Sequence, residues 1–251
     1  MFSIKDVEHV AKIIANSNYM VGFTGAGIST ESGLPDYRGP EGVWTLRDKG
    51  LQPKLPKKPI SEIEPNAGHY AFVDLYELDI LKYLISQNVD NLHLKSGIPP
   101  EILAELHGNH ALTKCLDCDA RFTKQEIGWD DMIHGKGYRT ERPRSNQPKC
   151  PHCKSRIISS IVNFNDPMPE KEIIESENQS RKCDVMLVVG SSLSVYPAAE
   201  LPVIAKRSGA KLIIINKGPT QLDNLADVRI EAKSGEFLPK VVEQIRKLKN
   251  H

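Results

Sequence analysis

The 251-residue sequence has no surplus of either charge and no long hydrophobic run. Its 33 lysines and arginines nearly balance its 32 aspartates and glutamates, so bulk charge favours neither nucleic acid nor a membrane surface as a partner. No apolar stretch approaches the roughly 20 residues that cross a bilayer. Near the amino end, charged residues interrupt a helical pattern with Val7, Val10, Ala11 and Ile14 on one stripe, unlike the unbroken apolar segment of a signal peptide. We therefore expect a cytoplasmic protein with no membrane partner.

Cysteine is scarce, and its odd count of five argues against a disulfide framework. Four of the cysteines form two C-x-x-C pairs with 31 residues between them, namely Cys115, Cys118, Cys150 and Cys153. Two such pairs supply four thiolates to one tetrahedral Zn²⁺ and leave no position for water, so we predict one structural zinc ion. His110 and His152 flank the pairs and are alternative ligands. Cys183 precedes an apolar run and is expected to be a buried, inert thiol.

Short runs rich in valine and isoleucine alternate with helical patterns along the chain. The main strand candidates are 19–24, 83–89, 185–190, 211–216 and 226–232, and the main helical patterns include 197–209 and 235–249. The strand candidates show little polar alternation, as expected of strands that are covered on both faces. This order predicts an α/β protein with a mostly parallel, doubly wound sheet.

A glycine turn follows the first strand, in the stretch GAGISTESGLPDYRG at 25–39. Gly25 and Gly27 allow a tight bend and the close approach of a pyrophosphate. Thr30, however, stands at the third glycine of G-x-G-x-x-G, and no acidic residue at a second strand end follows about twenty residues later. Hydride transfer therefore ranks last among the functions considered, and a purely structural turn remains an equal alternative.

The same loop continues into an acid, an aromatic ring and a base. Asp36 can accept hydrogen bonds from an amide, Tyr37 offers a flat face, and Arg38 offers a fixed cation for phosphate or carboxylate. A solvated loop with an Asp–Arg surface pair is the alternative interpretation.

Glycine and polar residues lie at the ends of three further strand candidates, namely Gln87, Asn88 and Asp90, then Gly190, Ser191 and Ser192, and finally Asn216. Ligands of open α/β sheets bind beyond the carboxyl ends of the strands, where these residues are predicted. Amides can bond ribose hydroxyls, a carboxylate can orient a carboxamide, and hydroxyls can donate to phosphate. Each segment alone also fits an ordinary turn.

His107 is the candidate general base, in the sequence ELHGN. Gly108 would let the chain turn and expose the imidazole, which can take a proton from a sugar hydroxyl near neutral pH. The chain has eight histidines, so the pattern alone does not choose among them.

The loop GAGISTESGLPDYRGPEGVW closely resembles the signature loop of the sirtuins, which are NAD-dependent protein deacylases. The likeness continues through SQNVDNLHLKSG, LAELHGN, the cysteine pairs, GSSL and IIINKGPT, in the family's order. The sequence is most similar to the branch that includes human sirtuins six and seven, where GVW follows the loop. The family usually has Ile and Phe where this chain has Leu34 and Tyr37, and some members have glycine at Asn91. We assign no role to these differences.

The resemblance implies a Rossmann-like lobe, a smaller zinc-ribbon module and a helical insert. The large lobe would comprise 1–45, 80–107 and 157–251 of a single catalytic domain. An insert at 46–79 would lie over the cofactor, because nearly sixty residues between the first two strands exceed a simple crossover. The zinc module would span 110–156.

The resemblance also implies residue roles, with NAD consumed as a co-substrate. Catalysis is assigned to His107 and Asn88, with His107 as the base that deprotonates a ribose hydroxyl. The implied NAD contacts are Gly25, Ala26, Gly27, Ser29, Thr30, Asp36, Tyr37, Arg38, Trp44, Gln87, Asn88, Asp90, His107, Gly190, Ser191, Ser192, Asn216, Gly218 and Ser234.

The substrate contacts implied by the resemblance are Val162, Asn163 and Phe164. In the family this segment is a strand edge that pairs with the backbone of an acyl-lysine protein or peptide. Asn165 and Asp166 replace the usual Gly-Glu of the segment, which leaves the acyl preference open.

The implied function is that of an NAD-dependent protein-lysine deacylase or deacetylase, which transfers the acyl group to ADP-ribose and releases nicotinamide. One alternative is a mono-ADP-ribosyltransferase that uses the same pocket. Another is a zinc-ribbon scaffold that binds DNA or partners, with NAD as a regulatory ligand. In the scaffold, loop residues Arg139, Arg142, Arg144 and Lys149 would contact phosphates, although the net charge gives nucleic acid or chromatin no support.

Overall fold

The computed structural model describes residues 2–249. Its α-helices are α1 (Ile4–Ala15), α2 (Val43–Asp48), α3 (Ala67–Glu77), α4 (Leu92–Ser96), α5 (Asp131–His134), α6 (Glu170–Lys182), α7 (Glu200–Arg207) and α8 (Ser234–Lys249). Its strands are β1 (Met20–Thr24), β2 (Leu81–Ser86), β3 (Leu103–Glu105), β4 (Leu112–Cys115), β5 (Arg121–Thr123), β6 (Ile157–Ser159), β7 (Val185–Val189), β8 (Lys211–Ile215) and β9 (Val228–Ile230). Short 3-10 segments include Ala26–Ser32 and Pro100–Ile102.

The main sheet has six parallel strands in the order β3-β2-β1-β7-β8-β9. The chain builds outward from β1 to β3 and then continues on the other side of β1 with β7. The strand order therefore reverses between β1 and β7, and in open sheets of this type a ligand crevice lies at that point. The predicted doubly wound α/β fold is confirmed.

The strands differ from the prediction most clearly at β2 and β3, and β9 (Val228–Ile230) is shorter than the predicted 226–232. The second strand covers Leu81–Ser86 instead of 83–89. The Gln87 N–H still donates to the Thr24 carbonyl of β1 at 3.0 Å, but the chain then turns, and the Asn88 N–H donates to Ser86 Oγ at 3.1 Å. The short strand β3 was not predicted at all, since its three residues are too few to show a periodic pattern.

Helices cover both faces of the main sheet, and all five residues of β1 and of β7 are buried. On one face, Val10 of α1, Phe72 of α3 and Val241 of α8 belong to one hydrophobic core. On the other face, Leu201 and Ala205 of α7 pack with strand residues in a second core. Burial on both faces explains why the strands show no polar alternation.

Helix α1 begins with a capping box at Ser3. The Asp6 N–H donates to Ser3 Oγ at 3.2 Å, and the Asp6 carboxylate accepts from the Ser3 N–H at 2.7 Å, which forms a capping box. The predicted stripe of Val7, Val10, Ala11 and Ile14 is buried. Helix α7 is shorter than the predicted 197–209 because turns precede it; after it, Gly209 has the left-handed φ of +99° that favours glycine.

A second sheet of three antiparallel strands, in the order β5-β4-β6, carries the region of the cysteine pairs. It departs from the expected lobe boundary, because β6 (Ile157–Ser159) pairs with β4 and not with the main sheet. The expected insert at 46–79 also differs, since α3 packs against the large lobe through Ala71, Phe72 and Leu75. Only the part of the insert before α3 is loop and short helix.

No helix among residues 2–249 is long and apolar enough to span a lipid bilayer.

Candidate functional site

A cavity of about 750 Å³ lies at the carboxyl ends of the main-sheet strands. Segments that follow β1, β2, β3, β7 and β8 all line it. Parallel strands end at the same edge of a sheet, so these segments meet although they are far apart in sequence. All the predicted NAD and substrate contacts except Thr30 and Ser234 line this cavity.

Gly25 and Gly27 lie where the loop after β1 crosses the turn after β7. The Gly27 N–H donates to the Gly190 carbonyl at 2.8 Å, and a Cβ on Gly27 would lie 2.7 Å from that oxygen. The glycines are thus required by the crossing of two chain segments, a reason that the sequence pattern alone does not reveal. The crossing occurs at the point where the strand order reverses.

The loop after the glycines forms an aromatic wall of the cavity. Tyr37 and Trp44 have ring centroids 4.9 Å apart, and Trp44 and Phe164 have centroids 5.6 Å apart. The Arg38 guanidinium lies 4.7 Å from the Trp44 centroid and pairs with Asp48 at 3.0 Å. The alternative interpretation was a surface pair of Arg38 with the loop acid Asp36, but the acid that pairs with Arg38 is Asp48.

Asp36 was predicted to accept hydrogen bonds from an amide, and the amide that it accepts from is in its own loop. Its Oδ1 accepts from the Gly39 N–H at 2.9 Å. Asp36 lines the cavity, and this bond holds the loop in its turn.

A buried polar cluster follows β2. Ser29 Oγ donates to Asp90 Oδ2 at 2.6 Å, and Asn88 Nδ2 donates to Ser29 Oγ at 3.2 Å. The other carboxylate oxygen of Asp90 accepts from the Leu92 N–H at 3.0 Å. These bonds fix the orientation of a carboxylate and an amide at one end of the cavity, where they can bind a polar group.

His107 lies on the turn after β3, and its orientation is set by the backbone. Its Nδ1 lies 2.8 Å from the Gln87 carbonyl oxygen, which only accepts, so Nδ1 carries the proton. Burial lowers the pKa of His107, and the Gln87 carbonyl raises it by less. The imidazole is therefore neutral at pH 7, and its Nε2 is available to accept a proton.

Gly108, which follows, has φ +78°, and any side chain there would overlap the Ser160 carbonyl. The predicted turn after the histidine is therefore one that glycine accommodates and other residues do not.

The predicted substrate segment at 162–164 lies beside His107, because the Val162 N–H donates to the His107 carbonyl at 2.9 Å. The segment was expected to be a strand edge, but it is irregular, since β6 ends at Ser159 and a turn follows it. The Asp166 side chain accepts from the Asn163 N–H at 3.1 Å and stabilises that turn. Phe164 is 74% exposed at the cavity mouth.

The four paired cysteines come together as predicted. Their Sγ atoms all lie within 4.8 Å of one another, with 3.4 Å from Cys115 to Cys153 and 3.6 Å from Cys118 to Cys150. Tetrahedral Zn–S bonds of about 2.3 Å place sulfur atoms about 3.8 Å apart, which matches this cluster. His110 instead contacts the Val89 carbonyl, so the thiolates form the set without it.

Known proteins of similar sequence identify the family of this chain. The model of the Sir2 family matches residues 53–197. Over 261 aligned residues, the chain is 38% identical to NAD-dependent protein deacylase 2 of Archaeoglobus fulgidus, with 98% of each chain covered. The chain belongs to the Sir2 family.

Solved sirtuin structures share the fold as well. One is Sir2Af2 bound to a myristoylated histone peptide, with a TM-score of 0.69, 36% identity, and 99% of each chain covered. Another is a Sir2 structure with a p53 peptide and NAD⁺, with a TM-score of 0.73, 32% identity, and 97% of this chain and 98% of that chain covered.

Sirtuins use NAD as a co-substrate, and the cavity fits such a molecule. Its volume is within the range of about 300–1,000 Å³ that is usual for small-molecule sites. Glycines and serine hydroxyls line one region, and the Asp90 cluster offers fixed polar groups in another. The four cysteines fit a structural zinc site, and none of them is among the described residues that line the cavity.

Thr30 and Ser234, two of the predicted NAD contacts, do not line the cavity, and their contact with NAD stays a prediction. Thr30 Oγ1 bonds back to the Gly27 carbonyl at 2.9 Å, which turns its side chain into its own 3-10 segment. Ser234 is buried at the start of α8, where its Oγ bonds to Glu31 and packs against Gly68. Both residues therefore brace the loop after β1 and lie outside the set of described residues that line the cavity.

Sequence reasoning missed two buried histidines behind the cavity wall. His69 Nδ1 accepts from the Asn66 N–H at 3.2 Å, so its Nε2 carries the proton and faces Ser29 Oγ at 3.4 Å. Burial lowers the pKa of His69 to about 4. His93 lies next to it and shares a 2.9 Å contact with Thr24 Oγ1. Their only sequence signal was the capping position of His69 at the start of α3.

Proposed function

We propose that this sirtuin is an NAD-dependent protein-lysine deacylase, which transfers an acyl group from lysine to ADP-ribose and releases nicotinamide. The observation that supports this function most strongly is the position of His107, whose unprotonated Nε2 shares one cavity with the fixed Asp90–Ser29–Asn88 cluster. In such a reaction the acyl oxygen would attack the anomeric ribose carbon of NAD as nicotinamide leaves. Water would finally release the deacylated lysine and O-acyl-ADP-ribose.

In this proposal, His107 is the general base. Its protonated Nδ1 is held by the Gln87 carbonyl at 2.8 Å, so Nε2 takes the proton from a ribose hydroxyl. When His107 becomes charged, the same carbonyl stabilises the imidazolium. General base catalysis of this kind contributes about 10²- to 10⁴-fold to a rate.

The cluster after β2 is proposed to bind the nicotinamide end. Asp90 keeps its carboxylate fixed by bonds from Ser29 and Leu92. A carboxylate held in this way can accept from a carboxamide without the entropy loss of ordering itself. Asn88 is proposed to contact the ribose, and the turns at Gly190 and Asn216 the remaining dinucleotide.

The proposed substrate is an acyl-lysine peptide that binds across the segment at 162–164. Two solved relatives hold peptides, and this segment lies at the cavity mouth beside His107. The exposed Phe164 ring and the adjoining Trp44 offer apolar surface for the peptide or its acyl chain.

The deciding experiment measures nicotinamide release with the purified protein, NAD and peptides that carry different acyl groups. We expect release only when an acylated peptide is present, with one nicotinamide for each lysine deacylated. The absence of release with every acyl chain, from folded and zinc-loaded protein, would refute the proposal. Labelling of protein by radioactive NAD without deacylation would indicate mono-ADP-ribosyl transfer instead.

Within the family, we propose that the chain is most similar to the branch that includes human sirtuins six and seven. The support is the sequence Gly42-Val43-Trp44 after the loop, together with Asn165 and Asp166 in place of Gly-Glu. Asp166 forms a local turn with Asn163, so the departure alters the peptide segment itself. Comparison of acetyl with longer acyl peptides tests whether it changes acyl preference.

We further propose a cytoplasmic location and a single catalytic domain. An odd number of cysteines with no disulfide among the described residues suits a reducing compartment. The proposed division is the main-sheet lobe, the 46–79 insert and the zinc module, with the boundary differences given above. Cell fractionation tests the location, and limited proteolysis tests the division.

A further inference from the structure

Asn91 has a backbone conformation that would also suit glycine. Its φ of 67° and ψ of 7° are left-handed, and its side chain does not cap α4, which begins at the next residue. Asparagine tolerates this conformation better than most residues do. The side chain is therefore free to form a bond that glycine at the same position would lack.

That bond is to Asn109, whose buried side chain is fully used. Asn109 Nδ2 donates to Asn91 Oδ1 at 2.7 Å and to Glu105 Oε1 at 2.7 Å. Its Oδ1 accepts from the Ala111 N–H at 2.9 Å. Asn109 is 1% exposed, so water does not replace a lost partner without rearrangement.

The hydrogen bond between Asn91 and Asn109, here called the bridge, joins the two loops on which the proposed chemistry depends. Asn91 directly follows Asp90, whereas Glu105 and Asn109 lie on either side of the turn that carries His107. On the Asp90 side, the Ser29 and Leu92 bonds hold the carboxylate without help from Asn91. On the histidine side, the bridge adds to the bond between His107 Nδ1 and the Gln87 carbonyl.

We propose that Asn91 is a positioning residue, which holds the turn of His107 against the loop of Asp90 through its hydrogen bond to Asn109. The inference rests on the proposed function and adds a residue that acts through others and does not touch substrate. Because Asp90 keeps its own bonds, loss of the Asn91 amide affects the His107-dependent step more than nicotinamide binding.

The test uses Asn91→Gly, which removes the amide but suits the left-handed backbone without strain. Two rates are measured at saturating NAD and peptide, namely deacylation and exchange of isotope-labelled nicotinamide into NAD. Loss of one buried hydrogen bond predicts deacylation slower by about 3- to 10-fold, with exchange within about twofold of wild type. KM for the peptide is expected to stay unchanged.

Two further variants separate the amide from the backbone. Asn91→Ala lacks the amide and is strained at positive φ, so it is expected to match Asn91→Gly in the ratio of the two rates and to melt at a lower temperature. Asp79→Gly changes another left-handed residue, with φ 57°, on the exposed turn before β2, at the end of that strand opposite to the site, and is expected to retain both rates.

The outcomes distinguish this inference from the proposed function. If wild-type protein releases no nicotinamide, the proposed function fails first. If wild type is active and Asn91→Gly deacylates at the wild-type rate, the positioning role is wrong. It is also wrong if deacylation and exchange fall by the same factor, because a general loss of folded protein produces that pattern.

Discussion

Replacement of Glu105 by glutamine is expected to stabilise the protein above neutral pH. The Glu105 side chain lies at the end of β3, with only 6% of the residue exposed. Burial raises its pKa from 4.5 to about 7, although the hydrogen bond from Asn109 and the charge of Arg121 act in the opposite direction. Glutamine keeps an oxygen for Asn109 and carries no charge to bury.

The magnitude follows from the linkage between protonation and folding. A carboxyl whose pKa is raised in the folded state stabilises the protein fully below the unfolded pKa of 4.5, and this contribution disappears as the pH rises through about 7. At 1.36 kcal/mol per pH unit, the difference between these pKa values corresponds to about 3 kcal/mol. Above pH 8, the glutamine variant should therefore exceed wild type by about 3 kcal/mol, and near pH 5 by little.

The assay is urea unfolding of both proteins at several pH values between 5 and 8.5, with constant zinc and ionic strength. The other titrating groups cancel in the difference between the two proteins, which should grow with pH and level off above about 8. Glu101→Gln is the control for the removal of a surface carboxylate, because Glu101 is exposed in the 3-10 segment Pro100–Ile102 just before β3. A stability difference that is constant with pH, or that falls as the pH rises, would refute the reasoning.

Three further predictions concern the site and the zinc module. His107→Ala should slow deacylation by about 10²- to 10⁴-fold because the base is lost, and wild-type rates in this variant would contradict the role of His107. Cys115→Ala, or chelation of the metal, should lower the zinc content and unfold or inactivate the protein, since zinc binding is coupled to folding. An intact melting curve after confirmed metal removal would count against a structural zinc. Gly27→Ala should weaken NAD binding and lower the melting temperature, because its Cβ would lie 2.7 Å from the Gly190 carbonyl, and calorimetry that finds both unchanged would disprove the crossing.

The sequence was most informative where local rules apply. The stripe of α1 and the apolar runs of β7 and β8 are properties of neighbouring residues. The strand β3 was missed because three residues carry no periodicity, and the end of β2 was misplaced because polar residues continue its apolar run.

In the candidate site, the structure differs from the sequence-based predictions for another reason. Thr30 and Ser234 resemble family positions, but their side chains bond to Gly27 and Glu31. His69 carries no motif of its own, and it reaches Ser29 only because α3 packs beside the loop after β1. Asn91 was given no role because a comparison with glycine does not disclose a partner 18 residues away.

The sequence by itself determined the alternation of strands and helices, the two cysteine pairs and the polar residues at the strand ends, because each depends on side chains close together along the chain. Only the tertiary structure decided the reversal of strand order at β1 and β7, the glycine crossing, the proton position on His107 and the bond from Asn91 to Asn109. These features arise from contacts between segments distant in sequence, and such contacts are fixed by the packing of the whole sheet.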